Sequence, residues 1–353
     1  MSGRHIAFAV PGDLTTLTGG YIYDRRVMHE LRNLGWSVDH VELPDGFPNP
    51  TKAGMKDALC RLQGLPPGRP VIIDGLAFGA LDPDDVAKLK IPIIALVHHP
   101  LAKENGLSTQ KQKAFYLSER ANLQNTVQII VPSKHTCEIL VSDYGVPYEK
   151  IVIAKPGIDR PTEASVEATP PLILSVGIQL PRKGHDVLLQ ALADVKDLNW
   201  QAIIAGAPLD PHYAQHLQDL QASLGLKDRV TLAGQVDRDT LGRLYCEASL
   251  FALATHYEGY GIVFDEALVH GLPIVSCDAG AVADTVPVGA GMLVPPNDPA
   301  QFANALCELL SDSERRKKCA DISHSVGLTR PGWTETAKTI ASAISNTCAE
   351  RAL

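Results

Sequence analysis

No long hydrophobic run is present in this sequence. Across 353 residues no apolar stretch approaches the ~20 that a helix needs to span a bilayer, so the chain is expected to be cytoplasmic, at most peripheral at the inner face of a membrane. The first apolar stretch, Ile6-Ala7-Phe8-Ala9-Val10, stops at Pro11 and Gly12. That is too short for a secretory signal and reads as a first strand. Paired cysteine is lacking as well. The seven cysteines (Cys60, Cys137, Cys246, Cys277, Cys307, Cys319 and Cys348) are odd in number and scattered, with no Cys-x-x-Cys and no histidine at metal-ligand spacing. They read as reduced, mostly structural thiols. An excess of basic charge is missing too: 32 Lys+Arg against 40 Asp+Glu leave a formal charge of −8, which argues against a nucleic-acid partner. Pro11-Gly12-Asp13 after the first strand does not make Gly-x-Gly-x-x-Gly, which disfavours a dinucleotide oxidoreductase. Internal repeats and low-complexity tracts are absent.

What is present describes a soluble globular chain with more residues than one core usually supports. Hydrophobic residues make up 45% and charged residues 20%, with a mean hydropathy of zero, and the length implies two domains. Short apolar runs alternate with helical patterns: 6–10, 38–43, 71–73, 93–97 and 129–131 read as buried parallel strands. Residues 23–34 and 136–144 carry helical spacing, the second entered through Ser133. Turn formers from Lys155 to Glu163 end this series and place a boundary near 165. A second series follows at 172–176, 201–205, 230–232, 250–253, 274–276 and 292–294. Fold class is therefore α/β, with two doubly wound domains and ligand binding expected beyond the carboxyl ends of the strands, in an interdomain cleft. Residues 1–160 hold 18 Lys+Arg against 17 Asp+Glu and the remainder 14 against 23, an imbalance small enough for a solvated surface to explain.

The most informative stretch is His256-Tyr257-Glu258-Gly259-Tyr260-Gly261-Ile262-Val263-Phe264-Asp265-Glu266-Ala267. Two carboxylates stand across a glycine-rich turn that opens a helix. Gly259 and Gly261 let the backbone bend and approach a ligand, and the first amides of the helix point outward, where a diphosphate fits. Glu266 is placed to accept hydrogen bonds from a ribose diol, and Glu258 from sugar hydroxyls.

Read together with Gly271-Leu272-Pro273-Ile274-Val275-Ser276 and Asp278-Ala279-Gly280, this segment resembles the donor-site signature of glycosyltransferase family 4, the retaining group 1 enzymes of the GT-B fold. The resemblance implies two facing Rossmann-like domains. Residues 1–165 would bind the acceptor, 166–330 would bind a nucleotide sugar, and a C-terminal helix within 331–353, entered through Arg330-Pro331-Gly332, would cross back to the first domain. Ser175 to Asp186 also looks like the family, with Lys183 on the donor diphosphate, neutralising the charge that grows on the leaving phosphate. Many relatives carry Gly-Arg at the position of Gly177-Ile178. Ile178 cannot supply that guanidinium, and Arg182 is the candidate substitute.

In the first domain Gly19-Gly20, after a loop of small polar residues and before a helix, offers backbone to the donor phosphate or the acceptor. His98 and His99 end the strand 93–97, where family members place a histidine beside the donor sugar. Adjacent strand residues point to opposite faces, so one of the pair, with His98 favoured, would face the ligand. Catalytic roles thus fall to His98, Lys183 and Glu258. Donor contacts fall to Gly20, Arg182, Lys183, Glu258, Gly259, Tyr260, Gly261, Ile262 and Glu266, and acceptor contacts to Gly19, His99 and Glu104. Ser133, Lys134, Glu119 and Arg120 read better as caps or solvated residues. Lys103, Lys111, Lys113 and Arg120, interleaved with Phe115, Tyr116 and Leu117, make an amphipathic surface suited to a lipid acceptor or to an ordinary domain helix.

The resemblance implies transfer of a sugar from a UDP- or GDP-sugar to an acceptor hydroxyl, with retention at the anomeric carbon. A lipid or glycan precursor is the favoured acceptor, with a small metabolite also open. No cofactor is expected beyond the nucleotide sugar, and no metal. The alternative is a nucleotide-sugar-binding protein on the same fold with little transfer, for which Ile178 is the supporting feature.

Overall fold

The computed structural model describes residues 4–104 and 106–350, with the side chains of the last helix described through residue 347, so Cys348 lies outside the described side chains. Among the described residues, twelve strands form two six-stranded sheets whose neighbours all run parallel. The first sheet contains β1 (His5–Pro11), β2 (Ser37–Leu43), β3 (Val71–Asp74), β4 (Ile93–Leu96), β5 (Gln128–Val131) and β6 (Ile151–Ile153), in the order β2-β1-β3-β4-β5-β6. The second contains β7 (Leu172–Val176), β8 (Gln201–Ala205), β9 (Val230–Gly234), β10 (Leu250–Leu253), β11 (Ile274–Cys277) and β12 (Gly291–Val294), in the order β12-β11-β10-β7-β8-β9.

Parallel sheets need both faces covered, and the strand sequences are written for it. All four residues of β3, β4 and β10 are buried. In β10, Leu250 and Ala252 join a core with Leu188, Leu192 and Phe302, while Phe251 and Leu253 join a second core with Phe264, Leu268 and Ile274. The alternation of strand side chains therefore feeds two helical layers from one strand. β6 is a three-residue edge strand whose apolar run Ile151-Val152-Ile153 is followed three residues on by the turn formers Pro156-Gly157.

The chain forms two compact units, one of residues up to Gly157 together with those from Pro331 onward, the other of Ile158–Arg330. The division falls at Gly157/Ile158 rather than near 165. Residues between carry turn formers but bond into the second unit: the amides of Val166 and Ala168 donate to the carbonyls of Cys246 and Glu247 at 2.9 Å each. In the first unit the last helix, Trp333–Glu350, packs on the helix Gly19–Asn33. The Trp333 ring stands edge-on to Tyr23 at 5.8 Å with the Arg26 guanidinium 5.4 Å above it, and the Thr334 hydroxyl donates to Glu30 at 2.8 Å. Among the described residues no helix is long and apolar enough to cross a membrane.

Candidate active site

In the second sheet the chain order reverses between β7 and β10: β7 has β8 on one side and β10 on the other. A crevice opens at the carboxyl ends of strands at such a point. The segments leaving these two strands carry Lys183 and Glu258. After β7, a single turn Pro181–Lys183 ends at Gly184, which is left-handed with φ +61. A Cβ there would stand 1.9 Å from the Ala254 carbonyl oxygen, so only glycine lets the turn lie on the end of β10. The Arg182 carbonyl then accepts from the His256 amide at 2.8 Å and the Thr255 hydroxyl at 3.0 Å. Behind it, His185 is fully buried with Nε2 3.0 Å from the Gly177 carbonyl oxygen, and burial pulls its pKa down to about 4, leaving it neutral.

This joinery brings Lys183 Nζ to 2.5 Å from Glu258 Oε1, which also accepts from the Thr255 hydroxyl at 3.0 Å. Arg182 Nη1 lies 3.9 Å from the other carboxylate oxygen. Glu258 is 5% exposed and Lys183 8%. Burial by itself raises the pKa of Glu258, but attraction from Lys183 and Arg182 and the bonds from Lys183 and Thr255 outweigh it, and the net shift is downward. Glu258 is therefore a buried carboxylate, not a neutral acid. Its carbonyl accepts from the Ala281 amide at 2.8 Å, and Gly280 lies so close that a Cβ would be 2.3 Å from that oxygen.

The turn Gly259-Tyr260-Gly261 follows at once. Gly261 has φ +86 and caps the helix Ile262–Val269 without a side-chain bond, so the first amides of that helix depend on other partners. Glu266 lies on the same helix, its Oε2 accepting from the Tyr245 hydroxyl at 2.8 Å. Tyr245 in turn stacks on His270 at 4.9 Å. Burial, with Asp159 and Asp265 nearby, raises the pKa of Glu266 despite the tyrosine's bond. Ile178 sits just past β7, its carbonyl accepting from the Leu180 amide at 2.9 Å.

The first sheet reverses between β1 and β3, and its candidate residues gather there. His98 Nε2, beyond β4, lies 3.1 Å from Asp24 Oδ1 and 3.5 Å from Asp74 Oδ2. Asp24 comes from the helix Gly19–Asn33 and Asp74 from the end of β3, where its Oδ1 accepts from the Leu76 amide at 2.9 Å. The three groups' ligand atoms lie within 4.8 Å of one another, close enough to hold a cation or to share protons. Burial and the Asp24 charge push Asp74 up to about 7, only partly offset by His98. Burial lowers the pKa of His98, but the charge and hydrogen bond of Asp24 and the charge of Asp74 leave it raised. Tyr23 meets the His98 ring edge-on at 5.2 Å.

Gly19 and Gly20 are not a loop before the helix, as the small polar residues around them suggest, but its first two residues. The glycine at position 20 makes room for a ring: a Cβ there would be 3.2 Å from His98 Cδ2. The two histidines part company. His99 Nε2 lies 2.7 Å from Glu104, beside a groove of about 720 Å3 lined also by Lys103, Lys113 and Tyr116. Glu119 is buried and clamps this segment, accepting from the Leu101 and Ala102 amides at 2.7 and 3.3 Å and from the Tyr144 hydroxyl at 3.1 Å. Ser133 caps the helix Lys134–Ser142 through the Thr136 amide at 3.0 Å.

The structure thus joins Arg182, Lys183 and Glu258 in the second unit and Gly20 and His98 in the first, and gives Glu266 and His99 partners of their own. Sequence reasoning missed Asp24, Asp74, Thr255 and Tyr245. Asp74 carried a signal, an acid closing the run Val71-Ile72-Ile73, and so did Asp24, an acid on the helix face of Tyr23, Val27, Met28 and Leu31.

Two protein-family models match the chain in succession. The model for glycosyl transferases group 1 matches residues 160–325, and that for glycosyltransferase family 4 matches 74–160. A D-inositol 3-phosphate glycosyltransferase of Xylanimonas cellulosilytica is 30% identical over 227 residues, 59% of this chain and 54% of that protein, so the match spans about half the relative's length. Among solved structures, a sucrose-phosphate synthase of Thermosynechococcus elongatus superposes with a TM-score of 0.83 at 21% identity, covering 98% of this chain and 100% of the other. The Anabaena HepE protein in complex with UDP-glucose gives 0.77 at 16% identity, covering 97% and 99%. At these identities the likeness shows the fold, which is GT-B. The chain belongs to the group 1 glycosyltransferases, of the family 4 type.

Proposed function

We propose that this chain transfers a sugar from a nucleoside diphosphate sugar to an acceptor hydroxyl with retention at the anomeric carbon. The observation that carries the reading is the buried Lys183–Glu258 pair beside the glycine turn that opens the helix bearing Glu266. Lys183, Arg182 and the first amides of Ile262–Val269 gather positive potential where the diphosphate binds and where charge grows as the glycosidic bond breaks. The ionised Glu258 accepts bonds from sugar hydroxyls, and Glu266, steadied by Tyr245, from the ribose. In the front-face course the leaving phosphate takes the acceptor proton, so no dedicated base is required. The positive charge comes from the chain's own residues, and the reading calls for no metal ion.

In the first unit, His98, held by Asp24 and Asp74, is assigned a catalytic role, and the groove beside His99 and Glu104 the acceptor. The resemblance to a protein solved with UDP-glucose makes UDP-sugars the first donors to test, and the inositol phosphate glycosyltransferase relatives make a polyol phosphate an acceptor to set beside lipid and glycan precursors. The test is a transfer assay with EDTA present, screening nucleotide sugars against such acceptors with wild type and Glu266→Ala. Donor-dependent product with wild type, and a raised donor KM in Glu266→Ala, is the expected result. Binding of a nucleotide sugar with neither transfer nor hydrolysis would favour the binding-protein reading, with Ile178→Arg as the next variant.

A further inference from the structure

Four residues around the donor turn close a ring. The Tyr260 hydroxyl donates to Asp265 Oδ2 at 2.5 Å, and the Tyr260 carbonyl accepts from the Thr285 hydroxyl at 2.7 Å. The Thr285 carbonyl accepts from Arg330 Nη2, and Arg330 Nε lies 2.7 Å from Asp265 Oδ1. Asp265 and Thr285 are each 1% exposed, Tyr260 is 7% exposed, and the Arg330 side chain 11%. We propose that Asp265, Thr285 and Arg330 are positioning residues for the donor turn, holding Gly259-Tyr260-Gly261 in its ligand-ready shape and fastening it to the segment where the chain leaves the second unit.

An acid in the first turn of a helix is adequately explained by the helix dipole. Here that explanation falls short, because Asp265 also takes the hydroxyl of the residue in the middle of the turn and a buried guanidinium from 65 positions later in the sequence. An arginine–carboxylate pair removed from water is costly unless further bonds hold it, and Tyr260 and Thr285 supply those bonds. The ring is anchored at its far side as well. Arg160, near the start of the unit, donates to the carbonyls of Gly327 at 2.5 Å, Leu328 at 3.1 Å and Arg330 at 2.7 Å, so the segments by which the chain enters and leaves the unit are tied together beneath it. Asp265 directly precedes Glu266, and a slackened ring would therefore disturb both ends of the proposed donor site.

The inference rests on the donor reading given above, and two readouts separate them. The first needs no ligand: hydrogen–deuterium exchange of the peptide spanning 258–263 in wild type, Asp265→Asn, Tyr260→Phe and the double variant Asp265→Leu/Arg330→Met, which leaves no orphaned charge should Asp265→Asn fail to fold. The second is calorimetric titration with UDP and with GDP, followed by the donor KM and kcat. Loss of one charged hydrogen bond implies exchange faster by about tenfold or more in that peptide and UDP or GDP binding weakened by about tenfold, with the donor KM rising more than kcat falls. Arg330→Lys, which keeps the charge, should recover part of both. Exchange and affinity as in wild type in both Asp265→Asn and the double variant would overturn the proposal. If the turn loosens in the variants while wild type binds neither nucleotide, the ring stands and the donor reading falls.

Discussion

Replacing Lys183 by Met separates what the Lys183–Glu258 pair does for folding from what it does for transfer. The substitution leaves Glu258, 5% exposed, without its 2.5 Å partner. Breaking a buried pair by removing one member costs about 3–5 kcal/mol, and the carboxylate here keeps only the Thr255 hydroxyl at 3.0 Å and Arg182 at 3.9 Å. For a unit of this size each kcal/mol moves the midpoint by about 2–4 °C, so Lys183→Met should lower it by about 6–20 °C. Turnover should fall further than stability explains, by about 100- to 1000-fold, the typical effect of removing one preorganised group from a developing negative charge. The double variant Lys183→Met/Glu258→Gln is the control. The introduced glutamine keeps an acceptor for the Thr255 hydroxyl and strands no charge, so the double variant should melt higher than Lys183→Met and remain as inactive. Thermal unfolding by circular dichroism and single-turnover assays with a saturating donor give the two numbers. A double variant no more stable than Lys183→Met would show that the pair is not coupled. Turnover restored along with stability would show that Lys183 acts through folding alone.

Three further outcomes follow from the titrating groups and the second carboxylate. Asp24 holds the His98 pKa above its ordinary value, so Asp24→Asn should move the alkaline limb of the kcat/KM profile to lower pH, and an unmoved limb would disconnect the pair from turnover. Burial pushes Glu119 from 4.5 up to about 7. With the folded value above the unfolded one, its stabilising contribution is complete below pH 4.5 and is lost as pH rises through about 7, a change of about 3 kcal/mol, to which Asp74 adds in the same direction. Melting curves from pH 4.5 to 8 should therefore slope less steeply for Glu119→Gln than for wild type, and equal slopes would remove Glu119 from the account. Tyr245→Phe takes the 2.8 Å donor from Glu266 and should raise the donor KM several-fold, by the loss of about 1 kcal/mol, with little change in the stability of the first unit.

Strands and the glycine turn at 259–261 were legible because each rests on local pattern. The runs at 71–73 and 250–253 are buried on both faces and read as continuous apolar segments, while Gly261 was needed for a backbone with φ +86. Partnerships across the fold were not legible. Lys183 and Glu258 were each visible in the sequence, yet their bond depends on β7 and β10 being neighbours, a fact of strand order that no local window contains. Arg330 meets Asp265 for the same reason, across 65 positions of sequence. Gly19 and Gly20 misled in the other direction: glycines commonly mark loops, but here a helix begins on them, and a Cβ at position 20 would press on the His98 ring at 3.2 Å. The exact division near Gly157 was not legible either, since turn-forming residues mark irregular chain without saying which unit it packs on.

The most direct test of the central claim is the anomeric configuration of the product, followed by proton NMR during turnover of a UDP-sugar by the wild-type chain in EDTA, with Lys183→Met alongside. The account predicts a product with the donor's own anomeric configuration, formed without metal and lost in Lys183→Met. An inverted product, turnover abolished by EDTA and restored by a divalent ion, or undiminished transfer by Lys183→Met would contradict it.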